Sequence, residues 1–301
     1  VHAALLLRVG RTEDSIAQFN RLLFLETAEP RRAYARITDV LGREKNRAVA
    51  FSVMQQLAET RQGDLNAQFA LAALATRTGN IDQAVTQLRS IQESSPDDER
   101  SAELLARVLQ SQGKTEGARS VLANYLDRQP HAHSARMSYG RLLVGAEDFE
   151  GAKEQFMQVS EALPDNADAR YAYAIVLMQL EQSDLAKAQF EKLAFAGKRE
   201  NSSWYYLGQL AEVGGDIERA LTNYRRVERG EFRLNAQIRV AVMLSQSGDI
   251  PGARAHLQGM RRQYHAERVR LYRAEADILV RAEQLEDAVS VYDGALAELP
   301  S

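Results

Sequence analysis

Apolar and small residues recur along this chain in a long register. Alanines stand at Ala84, Ala118, Ala152, Ala186, Ala220, Ala253 and Ala288, separated by 34, 34, 34, 34, 33 and 35 residues. A fixed period of this size is the signature of repeated supersecondary units. Twelve positions upstream in each unit lies a second small residue: Ala72, Ala106, Gly140, Ala174, Gly208, Ala241 and Ala276. Small side chains at both sites let two helices approach closely where their backbones cross. Four residues after the first series, one turn along the same helical face, comes a bulky apolar residue: Leu88, Leu122, Phe156, Phe190, Tyr224, Leu257 and Tyr292. It is predicted to fill the space between helices. Gly79-Asn80, Gly113-Lys114, Gly215-Asp216 and Gly248-Asp249 mark the turn inside a pair, with glycine free to take the left-handed cap conformation. Pro96, Pro130, Pro164 and Pro300 end second helices, because proline cannot continue them.

A 34-residue helix-turn-helix period with small, small, bulky and proline positions resembles the tetratricopeptide repeat. The fullest match is Trp204, Leu207, Gly208 and Ala211, followed by Ala220, Tyr224 and Val227. The second-helix small residue of that family is replaced by Ile91, Tyr125, Val159, Leu193, Val227 and Met260, and only Ala295 conforms. The resemblance implies an all-α, right-handed superhelical solenoid of about nine units, continuous over residues 1–301. Residues 1–30 form a truncated first unit, with Leu5 to Val9 left of its first helix and Ser15, Phe19 and Leu22 in the second. Residues 31–64 form an irregular unit in which Gly42, Ala48 and Phe51 align only if the turn is lengthened. Seven regular units then start near Leu65, Glu99, His133, Ala167, Asn201, Leu234 and Val269. In the later units Lys198, Phe232 and His265 stand where the terminal proline would be, so a change of curvature is expected there. The opening Val1-His2-Ala3-Ala4 and the closing Pro300-Ser301 read as cuts within a longer array, which should extend in both directions.

Composition narrows the chemistry. The 301 residues contain no cysteine, which removes disulfides, thiolate metal sites and cysteine nucleophiles. None of the five histidines makes a helical metal spacing, and His131 and His133 read as solvated turn residues after Pro130. No phosphate-binding glycine loop and no nucleophile elbow occurs. The expectation is a non-enzyme with neither metal nor cofactor. No stretch is apolar enough to span a membrane. The net charge of -3 conceals a gradient: ten acids against three bases from Glu147 to Glu191, then thirteen arginines against six acids from Arg219 to Arg281. That swing suits the orientation of a charged partner. Nucleic acid is not expected, since no interleaved aromatic platform accompanies the arginines.

In the tetratricopeptide family the concave face is lined by first helices. The resemblance places Met137, Arg141, Tyr171, Ile175, Met178, Tyr205 and Gln209 on it, together with Arg239, Arg270 and Arg273 at the basic end. Met137, Tyr171, Ile175, Met178 and Tyr205 are expected to form an apolar strip for a partner helix or peptide, the alternative being that neighbouring units bury it. The three arginines are expected to converge on a carboxylate, with Asp277 one turn from Arg273. The lysine and asparagine set by which some family members hold chaperone tails is missing. An Ala-, Arg- and Gln-rich, cysteine-free array of this size is similar to the periplasmic tetratricopeptide lipoproteins of Gram-negative bacteria. Among these it is similar to adaptors that recruit and activate a carboxyl-terminal processing protease and present cell-wall hydrolases to it. That implies protein partners, a periplasmic location and an outer-membrane anchor upstream; the alternatives are an exopolysaccharide export or envelope assembly scaffold, and a cytoplasmic location.

Overall fold

The computed structural model describes residues 2–298. The chain is all-α, with 79% helix, 18 α-helices and no strand among the described residues. It divides into two compact units, Val1–Gln155 and Phe156–Ser301. The proline and serine at 300 and 301, and Val1, on which the expected extension of the array rests, lie outside the described residues.

The first unit is built from α1 (His2–Arg8), α2 (Thr12–Leu25), α3 (Pro30–Gly42), α4 (Arg47–Glu59), α5 (Leu65–Thr78), α6 (Ile81–Ser94), α7 (Glu99–Ser111), α8 (Thr115–Arg128), α9 (His133–Gly145) and the start of α10 (Phe149–Ala162). Each helix through α8 packs on the next, and first helices also touch one another, as in α3 on α5, α5 on α7 and α7 on α9. Ala72, Ala84, Ala106, Ala118 and Ala152 are buried, and so are Leu88 and Leu122. The small-residue register is therefore the helix-crossing register.

The second repeat proves regular, which corrects the expected alignment. Ala48 is exposed and Phe51 only half-buried, whereas Ala50, Met54 and Leu57 are buried. With Tyr34, Ile37, Thr38 and Leu41 buried on α3, the repeat starts at residue 31 and holds the 34-residue period to Leu65. The small position is taken by Thr38, whose hydroxyl donates to the Tyr34 carbonyl at 2.8 Å. That bond satisfies its polar atom in the core, and the resulting lack of a small apolar side chain hid the register.

The second unit continues with α11 (Ala167–Gln179), α12 (Ser183–Phe195), α13 (Glu200–Val213), α14 (Ile217–Arg225), α15 (Arg233–Gln246), α16 (Ile250–Arg261), a 3-10 turn at His265–Glu267, α17 (Arg268–Arg281) and α18 (Leu285–Glu298). Ala174, Ala186, Ala220, Ala241, Ala253 and Ala276 are buried throughout. At Gly208 a Cβ would lie 2.6 Å from ring atoms of Tyr224, so α13 and α14 cross where only glycine fits. Tyr292 departs from its expected core role and is 46% exposed. On α18 the inward face is Ala288, Val291 and Ala295, and no later helix among the described residues covers Tyr292.

One backbone position repeats at the hairpin turns from α5–α6 onward, whereas the α3–α4 turn has no residue in the left-handed region. Gly79, Gly113, Gly215 and Gly248 have φ of +74 to +91°, and Glu147, Glu181 and Glu283 occupy the same register at φ 57 to 60°. Three turns thus hold a glutamate in the left-handed region that glycine enters without strain. Helix starts are capped by the preceding acid or amide: Asp98 accepts from Ser101 N at 2.9 Å, Asn166 from Ala169 N at 3.0 Å and Asp249 from Gly252 N at 2.8 Å.

An aromatic wall on the first helices of the second unit

α11 and α13 are the first helices of successive hairpins, so residues 34 apart occupy equivalent places on them. Tyr171 and Tyr205 are such a pair, and both are half-buried. Between them stands Tyr206, with ring centroids 6.0 Å from Tyr171 and 5.5 Å from Tyr205. Tyr205 stacks on Phe232 at 4.7 Å and 17°. α14 is only nine residues long, and the segment that follows it carries Phe232 back against α13. Behind this wall lie two fully buried rings: Phe190, stacked on Tyr206 at 5.1 Å, and Tyr224, 5.9 Å from Tyr205. Offset and edge contacts of this kind stabilise aromatic clusters beyond their buried area.

The wall is framed by paired charges. Arg199 adopts a left-handed backbone, φ 47°. Its guanidinium lies 4.5 Å from the Tyr171 ring centroid. Nε and Nη2 of Arg199 donate to Oδ1 of Asp168 at 2.9 and 2.7 Å. At the other end Arg239 donates from Nε to Oε2 of Glu212 at 2.9 Å, and the same oxygen accepts the Tyr224 hydroxyl at 2.8 Å. Burial lowers the Arg239 pKa below its ordinary value. Burial likewise pushes the Tyr171 hydroxyl well above the usual tyrosine range, helped by its hydrogen bond with Tyr206. Tyr205 is raised by burial and by Tyr206. Both phenols therefore stay protonated near neutral pH.

The expected site residues are distributed as follows. Tyr171, Ile175 and Met178 are half-buried on α11, and Tyr205 and Gln209 on α13, where Gln209 Nε2 donates to the Tyr205 hydroxyl at 3.3 Å. In the first unit Arg141 is exposed. Met137 is only 7% exposed, which removes it from any binding strip: α9 packs it inward as core. The three arginines take separate partners instead of converging on one carboxylate. Arg239 is held by Glu212, Arg270 donates to Asn235 at 2.7 Å and pairs with Glu267 at 3.4 Å, and Arg273 reaches Asp277 at 3.9 Å. Nearby carboxylates and an amide claim each guanidinium first.

Tyr206, Phe232 and Arg199 were not anticipated. Phe232 was noted only as a substitute for the terminal proline, and Tyr206 neighbours a residue already placed on the face. Two further concavities belong to this unit. One of about 410 Å³ between α15 and α17 is lined by Ile238, Val242, Ile278, Asp277, Arg239 and Arg281. Another, of about 540 Å³, lies along α12, α13 and α14, where Phe195 is 75% exposed beside Trp204 and the charges are mixed. Among the described residues no three His, Asp or Glu side chains gather as a metal site, and no helix is long and apolar enough to cross a membrane.

This architecture is that of a helix-hairpin repeat protein. One model of the tetratricopeptide repeat matches residues 43–108 and 143–210, a second matches 103–152 and 244–301, and the chain belongs to that family. No curated protein matches the sequence. Among solved structures, pilF of Pseudomonas aeruginosa is 19% identical with a TM-score of 0.51, covering 66% of this chain and 91% of its own. MamA from Desulfovibrio magneticus RS-1 is 17% identical with a TM-score of 0.49 over 57% of this chain and 97% of its own. YrrB, described as a TPR protein with an unusual peptide-binding site, is 16% identical with a TM-score of 0.49 over 58% of this chain and 90% of its own. At such identities the likeness is one of fold.

Proposed function

We propose that this chain is a non-catalytic scaffold that holds a protein partner on the first-helix face of its second unit, with the aromatic wall as the anchor. Tetratricopeptide folds act as protein-interaction scaffolds. The observation that carries the assignment to this surface is the wall itself: Tyr171, Tyr205, Tyr206 and Phe232 stay partly exposed while joined into one cluster. Large, rigid aromatic side chains are the residues that dominate binding energy at interfaces.

The finer reading is that the partner is a periplasmic carboxyl-terminal processing protease, which the chain recruits, activates and supplies with cell-wall hydrolases, attached to the outer membrane through an upstream anchor. It rests on the Ala-, Arg- and Gln-rich, cysteine-free composition and on the separation of an acidic from a basic stretch. The test is reconstitution: adding this chain to the protease of the same cell should accelerate cleavage of a wall hydrolase. A rate unchanged at saturating concentration would overturn the protease assignment, while leaving open capture of another protein on the same face.

A further inference from the structure

We propose that the aromatic wall seats a proline-rich, polyproline II segment of the partner, an inference that rests on the wall being the partner-binding surface. Charge comes first. Arg199 is already paired with Asp168, and Arg239 with Glu212. Arg239 also sits beside a buried tyrosine whose hydroxyl shares its carboxylate. Glu231, the remaining carboxylate near Tyr171, is exposed in the segment carrying Phe232. With Arg199 and Arg239 paired, the wall offers an acidic segment nothing and a basic one only the single exposed carboxylate of Glu231, so charge complementarity favours a largely uncharged occupant.

The hydrogen-bonding groups decide between uncharged backbones. Tyr171 and Tyr206 share a hydrogen bond between their hydroxyls and Gln209 donates to the Tyr205 hydroxyl, which leaves the wall the Tyr205 O–H, one O–H of the Tyr171–Tyr206 pair and the second Gln209 N–H, and no strand edge. An α-helix would arrive with its carbonyls satisfied and leave those donors facing a closed backbone. A β-strand needs a partner edge that alternates donors and acceptors, which a helix surface lacks. Polyproline II has no internal hydrogen bonds, exposes carbonyls along its length and, where proline stands, brings no N–H to satisfy. It also arrives already ordered, which reduces the entropy cost of binding.

Ring geometry agrees. Polyproline II repeats every three residues, roughly 9 Å along its axis. The steps from Tyr171 to Tyr206, Tyr205 and Phe232 are 6.0, 5.5 and 4.7 Å. Phe232 also lies 5.5 Å from Tyr206, so the rings form a cluster and not a line, and little more than one turn covers it, with pyrrolidine faces against aromatic faces. Phe190 and Tyr224, both fully buried, hold the rings from behind.

The experiment titrates decaproline into the full chain by calorimetry, with a ten-residue Gly/Ser peptide, decaglutamate, decalysine and cellohexaose as comparators. Saturable binding of decaproline alone is expected, changing less than about twofold between low and high salt. The set Tyr171→Phe, Tyr205→Phe and Tyr206→Phe removes only hydroxyls, so the fold is kept while affinity should fall at least about tenfold. Phe232→Ser should lower it further. Absence of saturable decaproline binding, indifference to the three hydroxyls, or preference for the sugar or a charged peptide would each overturn the inference. A photo-crosslinking residue at Gln209 separates the two levels. If the protein partner crosslinks there while decaproline fails to bind, only the polyproline assignment falls. If the partner does not crosslink there, the wall as partner surface falls with it.

Discussion

Gly208→Ala adds one methyl group at the crossing of α13 and α14. In an open helix interior that change should stabilise by about 1 kcal/mol through helix propensity. Here the new Cβ would lie 2.6 Å from Cδ1 and Cε1 of Tyr224 and 2.9 Å from Cζ. Carbon atoms prefer roughly 3.5–4.0 Å, so the ring would have to move by about 1 Å. It has nowhere to go: Tyr224 is fully buried, its hydroxyl is held by Glu212 at 2.8 Å, and its ring meets Tyr205. Overpacking of this kind costs about 1–3 kcal/mol, leaving a net loss of up to about 2 kcal/mol after the propensity gain. Gly259, in α16, supplies the control, since a Cβ there meets nothing within 4 Å. Gly259→Ala should gain about 1 kcal/mol. Urea unfolding followed by far-ultraviolet circular dichroism should therefore move the two midpoints in opposite directions at unchanged slope, with a spread of about 1–3 kcal/mol. A Gly208→Ala protein as stable as the parent would refute the argument that glycine is required for the close helix approach.

Glu181→Gly should stabilise by up to about 1 kcal/mol, since Glu181 holds φ 57° at a turn position where other repeats use glycine; an unchanged melting temperature would show that the turn bears no strain. Glu275 is fully buried between Arg254 at 3.0 Å, Arg261 and Gln258 at 3.0 Å. Glu275→Gln should cost about 3 kcal/mol in urea unfolding, because it leaves the largely buried Arg261 guanidinium without its carboxylate while Arg254 keeps Asp287 at 3.6 Å, whereas Arg273→Gln, at an exposed pair, should cost close to nothing. Burial alone would raise the Asp98 pKa, but hydrogen bonds from Arg100 and the Ser101 N–H outweigh it and hold the carboxyl below its ordinary value. Its stabilisation is therefore present above about pH 4 and lost as the pH falls through the lower folded value. Asp98→Asn, which keeps the cap, should be less stable near neutrality and equal to the parent in strong acid, as read by unfolding at several pH values.

The fold could be read early because its constraint is local and periodic. A small residue must lie at each helix crossing, and Ala84 through Ala253 report that directly. Register failed at the second repeat, where Thr38 fills the small position and satisfies its hydroxyl internally. It failed again at Tyr292, where no described helix follows. The site was only half visible. Tyr171 and Tyr205 follow from repeat position alone, but Met137 shares that position and is core, because burial depends on neighbouring helices. Phe232 joins the wall only because α14 stops at Arg225, and Arg199 only because its left-handed backbone turns it toward Tyr171. The arginines mislead for an electrostatic reason. A sequence counts charges, whereas the folded chain pairs Arg239 with Glu212 from the preceding first helix.

The central claim is that a protein partner is held by the aromatic wall and not by the outer crevice beside Phe195. The most direct measurement is calorimetric affinity of a protein partner captured by the full chain, with the proposed protease as first candidate, for the parent chain, Tyr205→Ala and Phe195→Ser. Removing an aromatic anchor worth about 2 kcal/mol should weaken binding roughly thirtyfold, with helix content unchanged, while Phe195→Ser should stay within about twofold of the parent. Full affinity in Tyr205→Ala together with a collapse in Phe195→Ser would place the partner on the other surface and contradict the account.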